Sequence, residues 1–403
     1  MDSFIRLQIL SRQMQLEPAE DTGLKRATPA PTLAAHRTPE CFTPAHAKPV
    51  LVQPAQLPNG KSIKLLKTLL TSACERDCYY CPFRRGRDFR RATFKPEEFA
   101  DVFMELHRRG IAEGTFLSSG IAGGGLRTQD KLLDTAEILR NKKGFRGYLH
   151  LKIMPGAQRA QVERAMQLAD RVSVNLEAPN TERLSLLAPH KEFVEELISP
   201  LKWIEEIRRT QPAYKGWNGR WPSSTTQFVV GAADESDLEL LKTTAWLTQR
   251  VGLRRAYYSA FSPITDTPLE GKEPTNPLRE HRLYQSSFLL RDYGFELEDL
   301  PFTADGHLPM HVDPKLAWAR ANLSQSPLEI NRADSRALLR IPGIGPRGVQ
   351  AVMHARRTHR IRDISELKKL GIQIERASSF ILLEGKQPAR KLPLFPGSHA
   401  VSK

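Results

Sequence analysis

The sequence predicts an α/β protein built on a parallel sheet, followed by a small all-α module. Three observations predict it. Six short β-like runs alternate with helical patterns between residues 61 and 320. A separate helical stretch with its own Pro-Gly hinge covers residues 328–385. The composition, 40% hydrophobic and 26% charged over 403 residues, is that of a globular chain. That length holds one α/β domain of about 250 residues plus smaller modules.

Residues 1–60 stand apart. Prolines recur from Arg26 to Gly60 without helical or strand period (Pro29, Pro31, Pro39, Pro44, Pro49, Pro54, Pro58). A Pro-rich, extended N-terminal segment is expected there. The start, MDSFIRLQIL, has no basic stretch followed by an apolar core of signal-peptide length. No apolar run reaches the length of about 18 residues that a membrane helix needs. A cytoplasmic location without membrane association is therefore expected.

The β-like runs lie near 65–70, 114–119, 147–154, 171–176, 225–230 and 256–260. Between the first two, Phe99, Val102, Phe103 and Leu106 recur at helical spacing, with Pro96 at the first turn. Val162, Ala165, Met166 and Ala169 repeat the pattern after the third run. Leu240, Thr244, Leu247 and Val251 mark a helical face after the fifth, and a helical stretch over 279–293 follows the sixth. This order fits either a doubly wound sheet or a partial barrel. Both place ligands at the carboxyl ends of the strands. Pro301, Pro309 and Pro314 mark a loop-rich exit, so the domain is expected to span 61–320. A loose tail is expected over 386–403.

Chemistry concentrates at the first of those strand ends. The chain has four cysteines, and Cys74, Cys78 and Cys81 fall within eight residues. Such clustering is not a disulfide framework. A structural zinc site would want four ligands, and no fourth Cys or His is placed to complete one. A cubane iron–sulfur cluster normally takes four cysteines. Three would leave one iron open to a chelating ligand, such as the amino and carboxylate groups of S-adenosylmethionine. One electron from the cluster would then break a C–S bond and leave a 5′-deoxyadenosyl radical. Cys41 stands in the proline-rich segment. It reads as a plain free thiol or, alternatively, as a hydrogen donor to a radical.

The pattern C-x3-C-x-aromatic-C, with Tyr80 as the aromatic, resembles the signature of the radical SAM superfamily. The resemblance spans residues 61 to about 313. It implies a partial (βα)6 TIM-like barrel, a [4Fe-4S] cluster on Cys74, Cys78 and Cys81, and S-adenosylmethionine as cosubstrate. It implies that Tyr80 lies near the adenine. It further implies that Ser118, Ser119 and Gly120 of FLSSG bind the methionyl amino group. Asn175 and Glu177 of SVNLEAP resemble residues that contact the ribose or methionine moiety. Gly231 of QFVVGAADE resembles a glycine beside the adenine that permits close backbone approach, in a G-x-x-E-type segment where Asp234 stands in place of Glu. More closely, the stretches LLKTLLTSACERDCYYCPFR and LAPHK resemble radical SAM proteins of DNA modification or repair that end in a helix-hairpin-helix. That subfamily tends to be encoded beside a uracil-DNA-glycosylase-like protein, an expected partner along with a low-potential electron donor. Residues 1–60 match it only at Cys41-Phe-Thr-Pro.

The formal net charge is +15, and residues 328–403 carry 15 Lys/Arg against 6 Asp/Glu. A local basic excess suits either a polyanion or a merely solvated surface. Within it, Leu338, Leu339 and Ile341 lead into Pro342-Gly343-Ile344-Gly345-Pro346, and Val349, Val352 and Met353 follow on a second helix. This resembles a helix-hairpin-helix, which implies contact with DNA phosphates through Gly343, Ile344, Gly345 and Arg347. Residues 364–381 resemble a degenerate second copy lacking one glycine. A structural αα-hairpin or a protein-docking module is the competing reading. The run Arg84-Arg85-Gly86-Arg87-Asp88-Phe89-Arg90-Arg91 reads equally as a phosphate guide or a solvated loop. The expectation is a radical SAM enzyme acting on DNA. An RNA-modifying enzyme and a non-catalytic iron–sulfur DNA-binding protein are the alternatives.

Overall fold

The six expected strands form, and their order in the sheet follows their order in the chain. The structure is a computed structural model that describes residues 2–14, 52–57 and 60–388. Cys41 and the tail beyond residue 388 lie outside the described residues. The chain divides into two units, Met1–Glu280 and His281–Lys403. Residues 281–320, expected to end the first domain, therefore group with the second.

In the first unit, helix α1 (Ser3–Gln13) is followed by strand β1 (Val52–Gln56) and strand β2 (Ser62–Leu69). Then come α2 (Pro96–Arg108), β3 (Gly114–Ser118), α3 (Gly125–Glu137), β4 (Tyr148–Lys152), α4 (Arg159–Leu168) and β5 (Arg171–Ser173). The unit closes with α5 (Thr181–Ser185), α6 (Ser199–Thr210), β6 (Ser223–Val230), α7 (Asp237–Arg250) and β7 (Arg255–Ala260). Helix α8 (Pro277–Asp292) contains the division between the units.

Among the described residues the sheet has seven strands in the order β1 to β7. Strands β2 to β7 are parallel, with Leu65 opposite Gly114 and Thr225 opposite Arg255. A doubly wound sheet would reverse direction at a switch point. This one never does, so it is a singly wound, curled sheet, and the partial-barrel alternative holds. Strand β2 is buried without a break from Leu65 to Leu69, as expected of a strand covered on both faces.

Most of the proline-rich stretch, residues 15–51, lies outside the described residues; a helix and a strand flank it. Helix α1 buries Leu7, Leu10 and Met14. Its Arg6 bonds Glu98 at 2.7 Å and lies over the Phe94 ring. Strand β1 pairs antiparallel with β2, Pro54 opposite Lys64. An antiparallel edge strand tolerates a proline that a central strand would not. Helix α2 starts on Pro96 as expected, and its Phe99 and Phe103 are fully buried. Helix α3 escapes the sequence pattern because Thr128 and Gln129 occupy part of its buried face.

The second unit contains α9 (Pro314–Asn322), β8 (Leu328–Glu329), α10 (Ser335–Arg340), α11 (Pro346–Ala355), α12 (Ile364–Lys369), α13 (Ile374–Ala377) and β9 (Ile381–Leu382). Its core includes Ile330, Leu338, Ile344, Val352, Leu367 and Ile381. The helices start on aspartates: Asp313, Asp334 and Asp363 accept from backbone N–H groups of α9, α10 and α12. The module is not purely helical. Strands β8 and β9 pair in parallel, Leu328 opposite Ile381, which ties its two ends together. Among the described residues no helix is long and apolar enough to cross a membrane.

Candidate functional site

The three clustered cysteines sit on a loop that leaves the carboxyl end of β2. Local bonds define its path. Leu70 N–H donates to Ser118 O at 2.8 Å, and Gly120 N–H donates to Thr71 O at 2.7 Å. Glu75 N–H donates to Ile121 O, and the Glu75 carboxylate accepts from the N–H groups of Gly123 and Gly124 at 3.1 and 2.9 Å. The turn after β3 thereby grips the cysteine loop. Gly120 makes this possible: a Cβ there would stand 2.3 Å from Ala73 O and 3.2 Å from the Cβ of Cys74.

Cys78 is buried, and Cys74 and Cys81 are partly so. Phe83 N–H donates to the Cys81 sulfur at 3.4 Å. Burial pushes the thiols of Cys78 and Cys81 up, and the Lys191 ammonium opposes the rise at both. An N–H donor and a buried cation both favour sulfur in its anionic, metal-binding form. Among the described residues no three His, Cys, Asp or Glu side chains converge as a single-ion site demands. A cubane asks for something different, with each cysteine on its own iron. Three thiols on one loop, one of them accepting a backbone N–H, supply the three cysteines that such a cluster with one open iron needs.

The loop is also tied to the segment after α5. Tyr79 N–H donates to Leu187 O at 2.7 Å, Asp77 and His190 share a hydrogen bond of 2.7 Å, and Arg76 bonds both His190 O and Glu196. These contacts bring Lys191 to the cysteines. Its ammonium lies 3.2 Å from Glu177 Oε1, with both side chains only 8% exposed.

Glu177 follows β5 with a left-handed φ of +64°, which is costly for a residue with a Cβ. Two backbone bonds across to β6 hold it there, Glu177 N–H to Gln227 O and Val229 N–H to Glu177 O. Tyr80 lies near it, its phenol pushed far up, by burial first and by Glu177 next. Lys152, at the end of β4, is pushed down to about 7 by burial, against the attraction of Glu177.

The expected residues divide accordingly. Cys74, Cys78, Cys81, Tyr80, Gly120 and Glu177 are linked around one loop. Ser118 and Ser119 are buried beside it at the end of β3. Asn175 donates to Gln227 Oε1 at 3.3 Å, joining β5 to β6. At Gly231 the close approach is to Thr275, whose Oγ1 would lie 2.0 Å from an added Cβ. The acidic residue serving this turn is not Asp234, which pairs with Lys272 at 2.8 Å. It is the buried Glu235, which accepts from the N–H groups of Gly231 and Ala233. Lys191, Lys152 and Glu235 carry no sequence signal of their own, because a lysine or glutamate in a polar stretch does not announce burial. The LAPHK stretch does include Lys191.

The arginine run is largely committed to structure. Arg91 donates to Ser72 O, Phe83 O, Arg84 O and Arg87 O and lies 4.3 Å from the Phe89 centroid. Arg87 reaches Thr265 O at 2.9 Å.

In the second unit, α10 and α11 flank the Pro-Gly turn. Gly343 has φ +84°, and a Cβ on it would meet Gln373 O at 2.4 Å. Gln373 N–H in turn donates to Gly343 O at 3.1 Å. The turn between α12 and α13 therefore braces the turn between α10 and α11. Lys315 of α9 donates to Ile344 O at 2.6 Å and stands 4.5 Å from the Tyr293 ring centroid. The first-turn N–H groups of α11 at Arg347 and Gly348 have no intrahelical acceptor. Arg347 is exposed beside them.

Residues 68–211 match the family model of the Radical SAM superfamily. Over 263 residues the chain is 25% identical to tRNA-2-methylthio-N(6)-dimethylallyladenosine synthase of Staphylococcus aureus, covering 60% of this chain and 48% of that one. The chain thus spans about half the length of the curated relatives it matches. Among solved structures, methylornithine synthase (PylB) is 15% identical with a TM-score of 0.44, over 57% of this chain and 62% of that one. Coproporphyrinogen III oxidase (HemN) of Escherichia coli is 14% identical with a TM-score of 0.36, over 57% and 53%. Residues 68–211 carry a radical SAM domain, and with it the superfamily's cofactor pair, a [4Fe-4S] cluster and S-adenosylmethionine.

Proposed function

We propose that this radical SAM protein is an enzyme of DNA modification or repair, with the curled sheet as reactor and the C-terminal hairpin as the DNA contact. In this reading Cys74, Cys78 and Cys81 hold the cluster. When bound, the cluster supplies the electron that splits S-adenosylmethionine and releases a 5′-deoxyadenosyl radical. The chain's own residues do the rest. Phe83 N–H and Lys191 stabilise thiolate charge. Gly120 lets the β3 turn close on the cysteine loop. Tyr80, Ser118, Ser119, Asn175, Glu177 and Gly231, at or beside strand carboxyl ends, orient the cosubstrate and keep water out. The observation that carries the reading is the three-cysteine loop at the carboxyl end of β2, with Cys78 buried.

The DNA reading rests on the hairpin. Gly343, Ile344 and Gly345 lead into free amides at the start of α11, with Arg347 exposed there, in a segment of basic excess. That is a phosphate contact without base readout. A uracil-DNA-glycosylase-like protein and a low-potential electron donor are the proposed partners. A base in a duplex would have to be unstacked before a hydrogen atom is abstracted from it. A second reading, RNA as substrate, is favoured by one observation: the Staphylococcus aureus relatives are named for a tRNA nucleoside.

The test is direct. The protein is reconstituted anaerobically, reduced and given S-adenosylmethionine, and 5′-deoxyadenosine is measured. An intact cluster that yields none overturns the enzyme reading. Affinity for duplex DNA and for tRNA is measured against salt. DNA preference with a steep, sequence-independent salt slope supports the first reading, and tRNA preference supports the second.

A further inference from the structure

We infer that the Lys191 ammonium, pinned on Glu177 beside the cysteine loop, sets the reduction potential of the cluster. The inference rests on the reading that Cys74, Cys78 and Cys81 hold it.

A buried Lys–Glu pair is poorly explained by stability alone. Two well-packed apolar side chains would serve the fold as well, because desolvating both charges costs about as much as their attraction returns. Here the pair is nevertheless built with care. Glu177 is held at φ +64° by two bonds to β6. Its carboxylate accepts from the Lys191 ammonium at 3.2 Å. The segment carrying Lys191 is fastened to the cysteine loop through Tyr79–Leu187, Asp77–His190 and Arg76–His190. All of this fixes one ammonium beside the cysteine loop.

Its charge is secured by a neighbour. Glu177, 3.2 Å away in the same buried site, is its counter-charge.

Reduction brings one electron from an external low-potential donor and breaks no bond. It adds one unit of negative charge to a cluster that its thiolates already make anionic. A fixed cation in a dry site favours that step, because little water is there to screen it. Lys191 thus eases electron entry.

The test is an anaerobic potentiometric titration of the reconstituted full chain with dithionite, followed by electron paramagnetic resonance, without S-adenosylmethionine. Lys191→Met is expected to make reduction at least about tenfold less favourable, about 59 mV more negative for a one-electron couple. Lys191→Arg, which keeps the charge, is expected to restore most of that shift. Glu177→Gln frees the ammonium of its counter-charge and is expected to shift the potential positive. It serves as the test if Lys191→Met takes up no cluster. A wild-type potential in Lys191→Met, an equal shift in Lys191→Arg, or a negative shift in Glu177→Gln overturns the inference. A wild-type chain that takes up no iron overturns the cluster reading itself.

Discussion

Gly120 and Ala73 lie so close that a side chain on the first would collide with the carbonyl of the second, at 2.3 Å. The contact joins the end of β3 to the root of the cysteine loop. Gly120→Ala must push the two apart. Overpacking of this kind costs about 1–3 kcal/mol. The variant is expected to unfold at lower urea and to bind less iron after reconstitution. Iron content per chain and a urea titration check both.

The hairpin makes a parallel case. Gly343→Ala forces a Cβ into a left-handed backbone and toward Gln373 O at 2.4 Å. Loss of about 1–3 kcal/mol in the second unit is expected. DNA affinity should fall while iron content stays at the wild-type level. Fluorescence anisotropy with a duplex, beside an iron assay, separates the two.

Lys315 links the hairpin to pH. Burial, with Arg376 adding to it, pushes its ammonium down to about 7. In the unfolded chain the same group titrates near 10.5. Between these values the unfolded state binds more protons than the folded one, so this group makes stability rise with pH from about 7 to about 10. The slope is at most about 1.4 kcal/mol per pH unit. Denaturation midpoints at pH 7, 8 and 9 should show the rise, and Lys315→Met should flatten the part that Lys315 contributes.

Arg140 is the structural counterpart of the site lysines. Its buried guanidinium donates to Leu168 O, Phe145 O and Gly147 O and pairs with Asp170 at 2.9 Å. It also lies 3.9 Å from the Trp217 ring centroid. Arg140→Met leaves Asp170 without this partner and three carbonyls without their donor. The expected cost is about 3–5 kcal/mol. Chemical denaturation measures it, and the spectrum of whatever cluster assembles should be unchanged.

The sequence by itself determined the features written over short distances. Six alternating β and α patterns, the C-x3-C-x2-C loop after the first strand and the Pro-Gly-Ile-Gly-Pro turn are all local. Each depends on neighbours within a few residues, so spacing alone reveals it. Even Pro96 at the start of α2 was legible, because a helix start is a local event.

Tertiary structure decided whatever depends on partners far along the chain. Periodicity is the same in a doubly wound and a singly wound sheet, and only the pairing of β2 through β7 in chain order separates them. The prolines of the N-terminal segment hid a strand because Pro54 sits on an edge, a property of the assembled sheet. Glu235 rather than Asp234 serves the Gly231 turn because backbone geometry, not residue type, aims the carboxylate. Lys191 became a candidate site residue only when bonds from Tyr79 to Leu187 and from Asp77 to His190 carried it to the cysteines. Burial and long-range contact change what a charge does, and neither is written in the charge itself.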